Sequence, residues 1–392
     1  MKTSYLNYFL LMVLLLITIG FISIHYKRIN DFNWRIGGSN PKNFMVNQVQ
    51  VNFFYNNEWI SGALLGTGGN NGWEEINGMI MGSDYLLSVP DSITTKWVCD
   101  TDKILYEGSY KLPREKMLEL FRTKAIDSYG DQNDYNLIVV GMAPGGNVTV
   151  WMRGGSASTE ICRFKANNKG IWKEDDPDYD KYTKEHESLS EGFKESRTYL
   201  KIHGIPYSAW EKGEKEYNYD IGFSSEENYD YNMLVFTKDC SWYSLDYFNS
   251  YIPWNTESIK TTNTTYNRKH YKCPVQLNLQ WNSNEDNYKE RRVFFGNIVL
   301  PVNLESKLAT NNFNRFLVSI QKDTDQDSVF GYIYLIGKRK KEKVMNFKLG
   351  RYDYKKSTLL APEYILPKDF VFPKWEGREP IVFPELDYWQ EK

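Results

Sequence analysis

The chain has 392 residues, 41% of them hydrophobic and 25% charged, enough apolar material for about two to three ordinary domains. A formal net charge of -2 leaves no concentrated basic field, which argues against nucleic acid as a partner. Four scattered histidines, His25, His186, His203 and His270, and the lack of a nucleophile elbow, an HExxH helix motif or a Walker loop leave metal and triad chemistry without a local signature.

The chain opens with an uncharged run, Tyr8 to Ile24, set between Lys2 and the Lys27-Arg28 pair. At about 17 residues it meets the lower limit for a membrane-spanning helix and is long for the apolar core of an export signal. No A-x-A pattern follows it, and no cysteine precedes Cys99. Residues 1–28 therefore read as an uncleaved signal anchor that enters the membrane through residues 8–24, with a cleaved export signal as the alternative. The flanking positive charges nearly balance, so they leave the orientation open. Cys99, Cys162, Cys240 and Cys273 have no C-x-x-C spacing, which argues against zinc; two disulfides and four buried thiols both remain open.

Beyond the anchor, an aromatic share of 16% favours pleated surfaces on which flat rings pack. GTGGNNGW, Gly66 to Trp73, departs from the dinucleotide glycine spacing and has no helix behind it, so it reads as a surface loop exposing Trp73 as a candidate contact residue. Ser92–Cys99 and Ile104–Leu112 read as strands about a turn at Asp100–Lys103. Pro113 then opens a helix whose apolar face is Met117, Leu118, Leu120 and Phe121. LIVVGM, VTVWM and TEICRFKA follow as three more strands. The order of strand, strand, helix and three strands predicts an α+β domain of antiparallel sheets with a packed helix, over residues 29–204. Within it Pro144 and Gly145 hold the second and third places of a type II turn that closes a hairpin. Its tip offers no nucleophile, so Pro144, Gly145, Gly146 and Asn147 are candidates for backbone contact with a partner and not for catalysis.

In the charged run Lys173–Glu187, Asp176, Asp178, Asp180 and Glu187 fall at the first, third, fifth and twelfth places of a calcium loop. Lys181 stands where the sharp turn needs glycine, so the run reads as a solvated linker, with calcium as the weaker alternative and no other cofactor indicated. Glu191–His203 reads as a helix capped by Gly204. A second, divergent copy of the domain is expected over 205–360. Pro90 and Trp97 recur at equal separation as Pro274 and Trp281, Leu112-Pro113 recurs as Leu300-Pro301, and Gly141 and Gly154 recur as Gly337 and Gly350. On that glycine spacing Val148 and Trp151 match Val344 and Phe347, and the turn Met142–Gly146 falls on Lys338–Glu342. Asp323–Asp327 reads as a loop cap, and residues 361–392, with five prolines among aromatics, as an extended strap.

The segments VPDSITTKW, LYEGSYKLPREKMLELF, YNLIVVGMAPGGNVTVWMRGG and LKIHGIPYSAWEKGEKEYNYDI resemble a bacterial family of exported, commonly lipid-anchored proteins known only as domain of unknown function 2931. The resemblance covers about Asn33 to Gly222 and implies an envelope location, with the globular part periplasmic or outward-facing. It supplies no activity and no catalytic residue. Some members resemble immunity proteins against secreted envelope toxins, which implies a binding module with an envelope protein or secreted toxin as partner. The lipidation cysteine of the family is missing here. The competing expectation is a glycan hydrolase that gathers paired acids such as Glu58, Glu74, Asp100 or Glu107 from distant segments, with Trp59, Trp73 or Trp210 against the sugar. Trp97 and Trp151 sit at apolar-facing strand positions and read as core.

Overall fold

The computed structural model describes residues 2–66, 72–82, 85–126, 130–172, 191–225, 229–247, 270–283, 292–321, 328–351 and 364–373. Helix α1 (Lys2–Ile29) contains an 18-residue stretch, Tyr5–Ile22, of mean hydropathy 2.3, none of it buried against the rest of the chain. It is long and apolar enough to cross a bilayer, a character that an export signal shares.

The rest is predominantly β. A first unit begins with β1 (Asp31–Phe32), β2 (Arg35–Asn40), β3 (Val46–Tyr55), β4 (Glu58–Gly66), β5 (Gly72–Gly82) and β6 (Leu87–Ser88). It continues through β7 (Ser92–Cys99), β8 (Ile104–Lys111), α2 (Arg114–Arg122), β9 (Lys124–Ile126) and β10 (Gln132–Asp134). The strands β11 (Leu137–Ala143), β12 (Asn147–Gly154), β13 (Ala157–Lys165) and β14 (Asn167–Ile171) complete it. Two five-stranded sheets result, ordered β13-β12-β11-β2-β5 and β14-β8-β7-β3-β4. Alternation sends Val49, Val51 and Phe53 of β3 inward to meet Ile138 and Val140 of β11. Met117, Leu118 and Phe121 of α2 join the same core, and Phe121 stacks on Phe32 at 4.9 Å. The helix starts where Pro113 permits it, as its sequence requires.

Two helices follow, α3 (Glu191–His203) and α4 (Tyr207–Lys212). Gly204, at φ +66°, ends α3 by donating its N–H to Leu200 O at 2.7 Å. A second unit then runs through β15 (Glu216–Asn218), β16 (Asp220–Ser225), β17 (Tyr229–Thr237), β18 (Trp242–Tyr247), β19 (His270–Lys272), β20 (Pro274–Ser283) and β21 (Val293–Val299). After helix α5 (Leu304–Ala309) come β22 (Arg315–Ile320), β23 (Ser328–Ile336), β24 (Lys341–Arg351) and β25 (Tyr364–Ile365). Its main sheet has nine strands, ordered β16-β22-β23-β24-β21-β20-β17-β18, with β25 added parallel to β21.

That order repeats four strands from each sheet of the first unit. β24-β23-β22-β16 repeats β13-β12-β11-β2, and β21-β20-β17-β18 repeats β8-β7-β3-β4; the β21–β24 pairing joins the halves into one sheet. Both units pair their first long-range strands in parallel, β2 with β11 and β16 with β22, so those two sheets are mixed, while the β14-β8-β7-β3-β4 sheet is antiparallel as expected. Individual hydrogen bonds recur as well. Arg35 N–H donates to Asn136 O and Asp220 N–H to Asn314 O, both at 2.9 Å. Leu112 N–H reaches Asp91 O at 2.7 Å, and Leu300 N–H reaches Val275 O at 2.9 Å. One register shift recurs too, between Val150 and Trp151 in β12 and between Ile333 and Tyr334 in β23.

Trp97 and Trp281 therefore lie on corresponding strands, β7 and β20, both fully buried. The glycine alignment is one strand out of step. Gly141 lies in β11, whereas Gly337 follows β23, the counterpart of β12. Leu137 pairs with Arg153 as Arg315 pairs with Ile336, which makes Gly337 the counterpart of Gly154. A Cβ on Gly154 would come 2.7 Å from Asp134 O, and one on Gly337 would strike Asn312 O, the carbonyl at the same place in the second unit. The backbone approach is what both positions share. Accordingly Trp151 corresponds to Tyr334 and not to Phe347, and Lys338–Lys340 corresponds to the turn after Gly154 and not to Pro144–Gly146.

Candidate functional site

The Pro144–Gly146 turn does close the β11–β12 hairpin, with Ala143 opposite Asn147. Gly145, at φ 73° and ψ 13°, has the backbone that the third place of a type II turn requires. The tip is not offered to solvent, however. Pro144, Gly146 and Asn147 are buried, and a Cβ on Gly145 would sit 2.8 Å from the Tyr207 ring of α4. Asp102 fastens the tip from beneath, accepting from the Tyr106 hydroxyl at 2.6 Å and from Gly145 N–H at 3.2 Å. Asn147 donates to Pro144 O at 2.9 Å and accepts from Lys165 Nζ at 2.9 Å. These residues serve packing because a polar turn can be buried only when its groups are paired.

Trp73 is likewise interior, 1% exposed, where a loop position had suggested exposure. It meets Trp151 edge-on at 5.0 Å and lies 6.4 Å from Trp210, in a cluster with Phe44, Val139, Tyr199 and Cys240. This cluster covers the outer face of β11–β12 and joins the units, since Trp73 N–H donates to Cys240 O at 3.1 Å. All four cysteines are free thiols, three of them buried. Trp59, by contrast, is 62% exposed and donates from Nε1 to Asn52 Oδ1 at 3.3 Å.

A polar network closes the same junction. Lys272 Nζ binds Asp239 Oδ2 at 2.7 Å and lies 3.5 Å from Glu74 Oε2. Asp239 N–H donates to Glu214 Oε2 at 2.8 Å, and Trp210 Nε1 donates to Asp239 O at 2.8 Å. Burial works to raise Asp239, but the Lys272 ammonium and the hydrogen bonds from Thr237 and Ser241 outweigh it and hold the carboxyl well below the usual range. Burial and the neighbouring Asp239 charge push Glu214 up to about 9, so one acid is ionised and its neighbour neutral. His203 links α3 to β20 through Gln276 at 2.7 Å, and burial lowers it to about 4. Chain order hid this assembly, because Glu74, Glu214, Asp239 and Lys272 come from four separate segments.

Of the four acids named for hydrolysis, Glu74 lies 3.5 Å from Lys272, Asp100 accepts from the Asn47 amide at 2.5 Å, Glu107 lies 3.9 Å from Lys169, and Glu58 begins β4. Among the described residues no group of three His, Cys, Asp or Glu is placed to hold a metal ion. Asp176, Asp178, Asp180 and Glu187 lie outside the described residues, as do Asp323–Asp327 and all of the tail except residues 364–373.

The units also differ at the outer face that the tryptophan cluster covers in the first. Corresponding residues of the second unit are Phe330, Tyr332 and Tyr334, in a row along β23, with Phe330 46% exposed. Lys341 lies 4.1 Å from the Tyr334 centroid, Lys343 5.2 Å from Tyr332 and Lys348 5.4 Å from Phe330. Lys338, Arg339 and Lys340 extend the positive charge into the turn; Glu342, the acid among them, is held by Lys307 at 2.9 Å and Lys340 at 2.8 Å. Phe330, Asn346 and Lys348 also line a half-open cleft of about 350 Å³ shared with Leu366, Pro367 and Lys368. No sequence rule singled out this face, because alternation of aromatic and basic residues also describes an ordinary solvated strand.

No curated protein and no solved structure matches the chain. Residues 23–208, from the end of α1 into α4, match the family model described as Protein of unknown function (DUF2931), so the family resemblance holds over that segment.

Proposed function

We propose that the protein is a membrane-anchored binding module of the bacterial envelope, composed of two tandemly duplicated units, with the outer face of β22–β24 as its recognition surface. The observation that carries this reading is the contrast between two corresponding faces: that of β11–β12 is packed under α3 and α4, while among the described residues that of β23–β24 carries lysines over a row of half-buried Tyr332 and Tyr334 and exposed Phe330. Recurrent pairings, hydrogen bonds and a register shift support the duplication. The packing of α4 on β12 and β13 supports a boundary between the units after Lys212. The apolar helix and the family resemblance support the envelope location with the globular part outside the cytoplasm. An envelope protein or a secreted toxin is the partner this role requires, and toxin neutralisation is its most specific form. The test is affinity recovery from envelope extract with the full chain. A stoichiometric protein partner retained by the natural chain and lost on joint Tyr332→Ala and Tyr334→Ala substitution is the expected result. Equal recovery by both chains, or by neither, refutes the proposal.

A further inference from the structure

The first unit shows what its version of the open face is built to hold. Strand β13 supplies the cations there: Arg163 donates to Trp210 O of α4 at 2.8 Å, and Lys165 lies 3.8 Å from Glu211. The α4 ring Trp210 fills the hollow beside Trp151 and Phe44, with Tyr207 edge-on to it at 6.3 Å. One short helix thus brings an aromatic anchor and a carboxylate to a strand pair that offers rings and cations. Register carries part of this arrangement to the second unit: Thr149 pairs with Arg163 as Tyr332 pairs with Asn346, so an amide stands where Arg163 holds α4. Asn147 pairs with Lys165 as Phe330 pairs with Lys348, and after the shared register shift Trp151 pairs with Glu160 as Tyr334 pairs with Lys343. Lys165 is kept as a cation at Lys348, and Glu160, the acid that binds Arg163 at 2.5 Å, becomes a cation at Lys343.

From this geometry we infer that the β22–β24 face binds a helical polypeptide segment of a partner protein, one that carries an aromatic side chain flanked by carboxylates. The inference rests on reading that face as the recognition surface and adds the chemistry of its occupant. Among the described residues no carboxylate pairs with Lys341, Lys343 or Lys348, which rest over their own rings. An arriving carboxylate draws each ammonium off its ring and opens that ring to the partner's aromatic group, so charge and stacking are used together. The half-open cleft beside Phe330 and Lys348 provides the hollow that such an anchor needs, as the Trp210 hollow does in the first unit. An anionic glycan or a lipid surface would satisfy the lysines and leave the cleft unfilled.

The probe is a pair of synthetic helical peptides, each with one tryptophan, that differ only in having glutamates or glutamines along the tryptophan face. Binding to the full chain in lipid nanodiscs is followed by fluorescence anisotropy. The glutamate peptide is expected to bind about tenfold more tightly than the glutamine peptide, and joint Lys341→Gln, Lys343→Gln and Lys348→Gln substitution is expected to remove that difference. Phe330→Ala should weaken both peptides, while Val302→Ala, at an exposed site of the same unit, should change neither. Equal binding of the two peptides overturns the inference, as does displacement of the glutamate peptide by a sulfated oligosaccharide of equal charge. If neither peptide binds while Tyr332→Ala and Tyr334→Ala still cost the chain its partner from extract, the recognition face stands and its acidic helical occupant falls.

Discussion

Glu214→Gln probes the junction between the units, because the structure places a neutral acid there beside an ionised one. Burial and the Asp239 charge raise Glu214 to about 9, from an ordinary value of 4.5. A folded value above the unfolded one means that the contribution of the group to stability is fully present below about pH 4.5 and is lost as pH rises toward 9. Each pH unit within that window costs about 1.4 kcal/mol, so going from about pH 5 to about pH 7 removes about 3 kcal/mol from the natural chain. Glutamine keeps an oxygen to accept the Asp239 N–H and does not titrate. Urea unfolding of the full chain and the variant at several pH values is the assay. The stability difference in favour of the glutamine variant should widen by about 3 kcal/mol between about pH 5 and about pH 7. A difference that does not change with pH would refute the assignment of a buried neutral carboxyl.

Lys272→Met leaves the Asp239 carboxylate buried without its ammonium and should cost about 3–5 kcal/mol, read by the same unfolding titration. Trp73→Ala empties the space between Trp151 and Trp210 and should cost about 3–5 kcal/mol, with a matching fall in thermal midpoint. Gly154→Ala and Gly337→Ala should each destabilise the chain, because both Cβ atoms run into a carbonyl, whereas Gly350→Ala, which meets nothing, should leave the midpoint unchanged.

Local patterns in the sequence were enough for helix α2, the strands around it, the end of α3 and the type II hairpin, since each depends on neighbours a few residues away. Proline at the start of α2 and glycine in the αL backbone at Gly145 and Gly204 act at that range. Parallel pairing of β2 with β11 joins residues that no local pattern connects, so the mixed sheets were not legible. Equal glycine spacing misled for a related reason: successive hairpins of similar length let a repeat be aligned one strand out. A better signal was present in Asn136 and Asn314, whose backbone carbonyls accept the same bond and which immediately precede corresponding strands, but two asparagines stand out only once their partners are known. Trp73 looked exposed because its glycine-rich neighbourhood reads as a loop, yet it opens β5 beneath the second unit. The junction network and the open face are both tertiary products, assembled from groups that are ordinary one at a time.

A photo-crosslinking amino acid placed at Phe330 in intact cells tests whether the chain binds a protein through the aromatic face of its second unit. The expected result is a discrete protein adduct at 330 that diminishes when Lys343 and Lys348 are reversed to glutamate, and no adduct from the same group at Val302. Identical labelling at both positions, or none at 330, would contradict it.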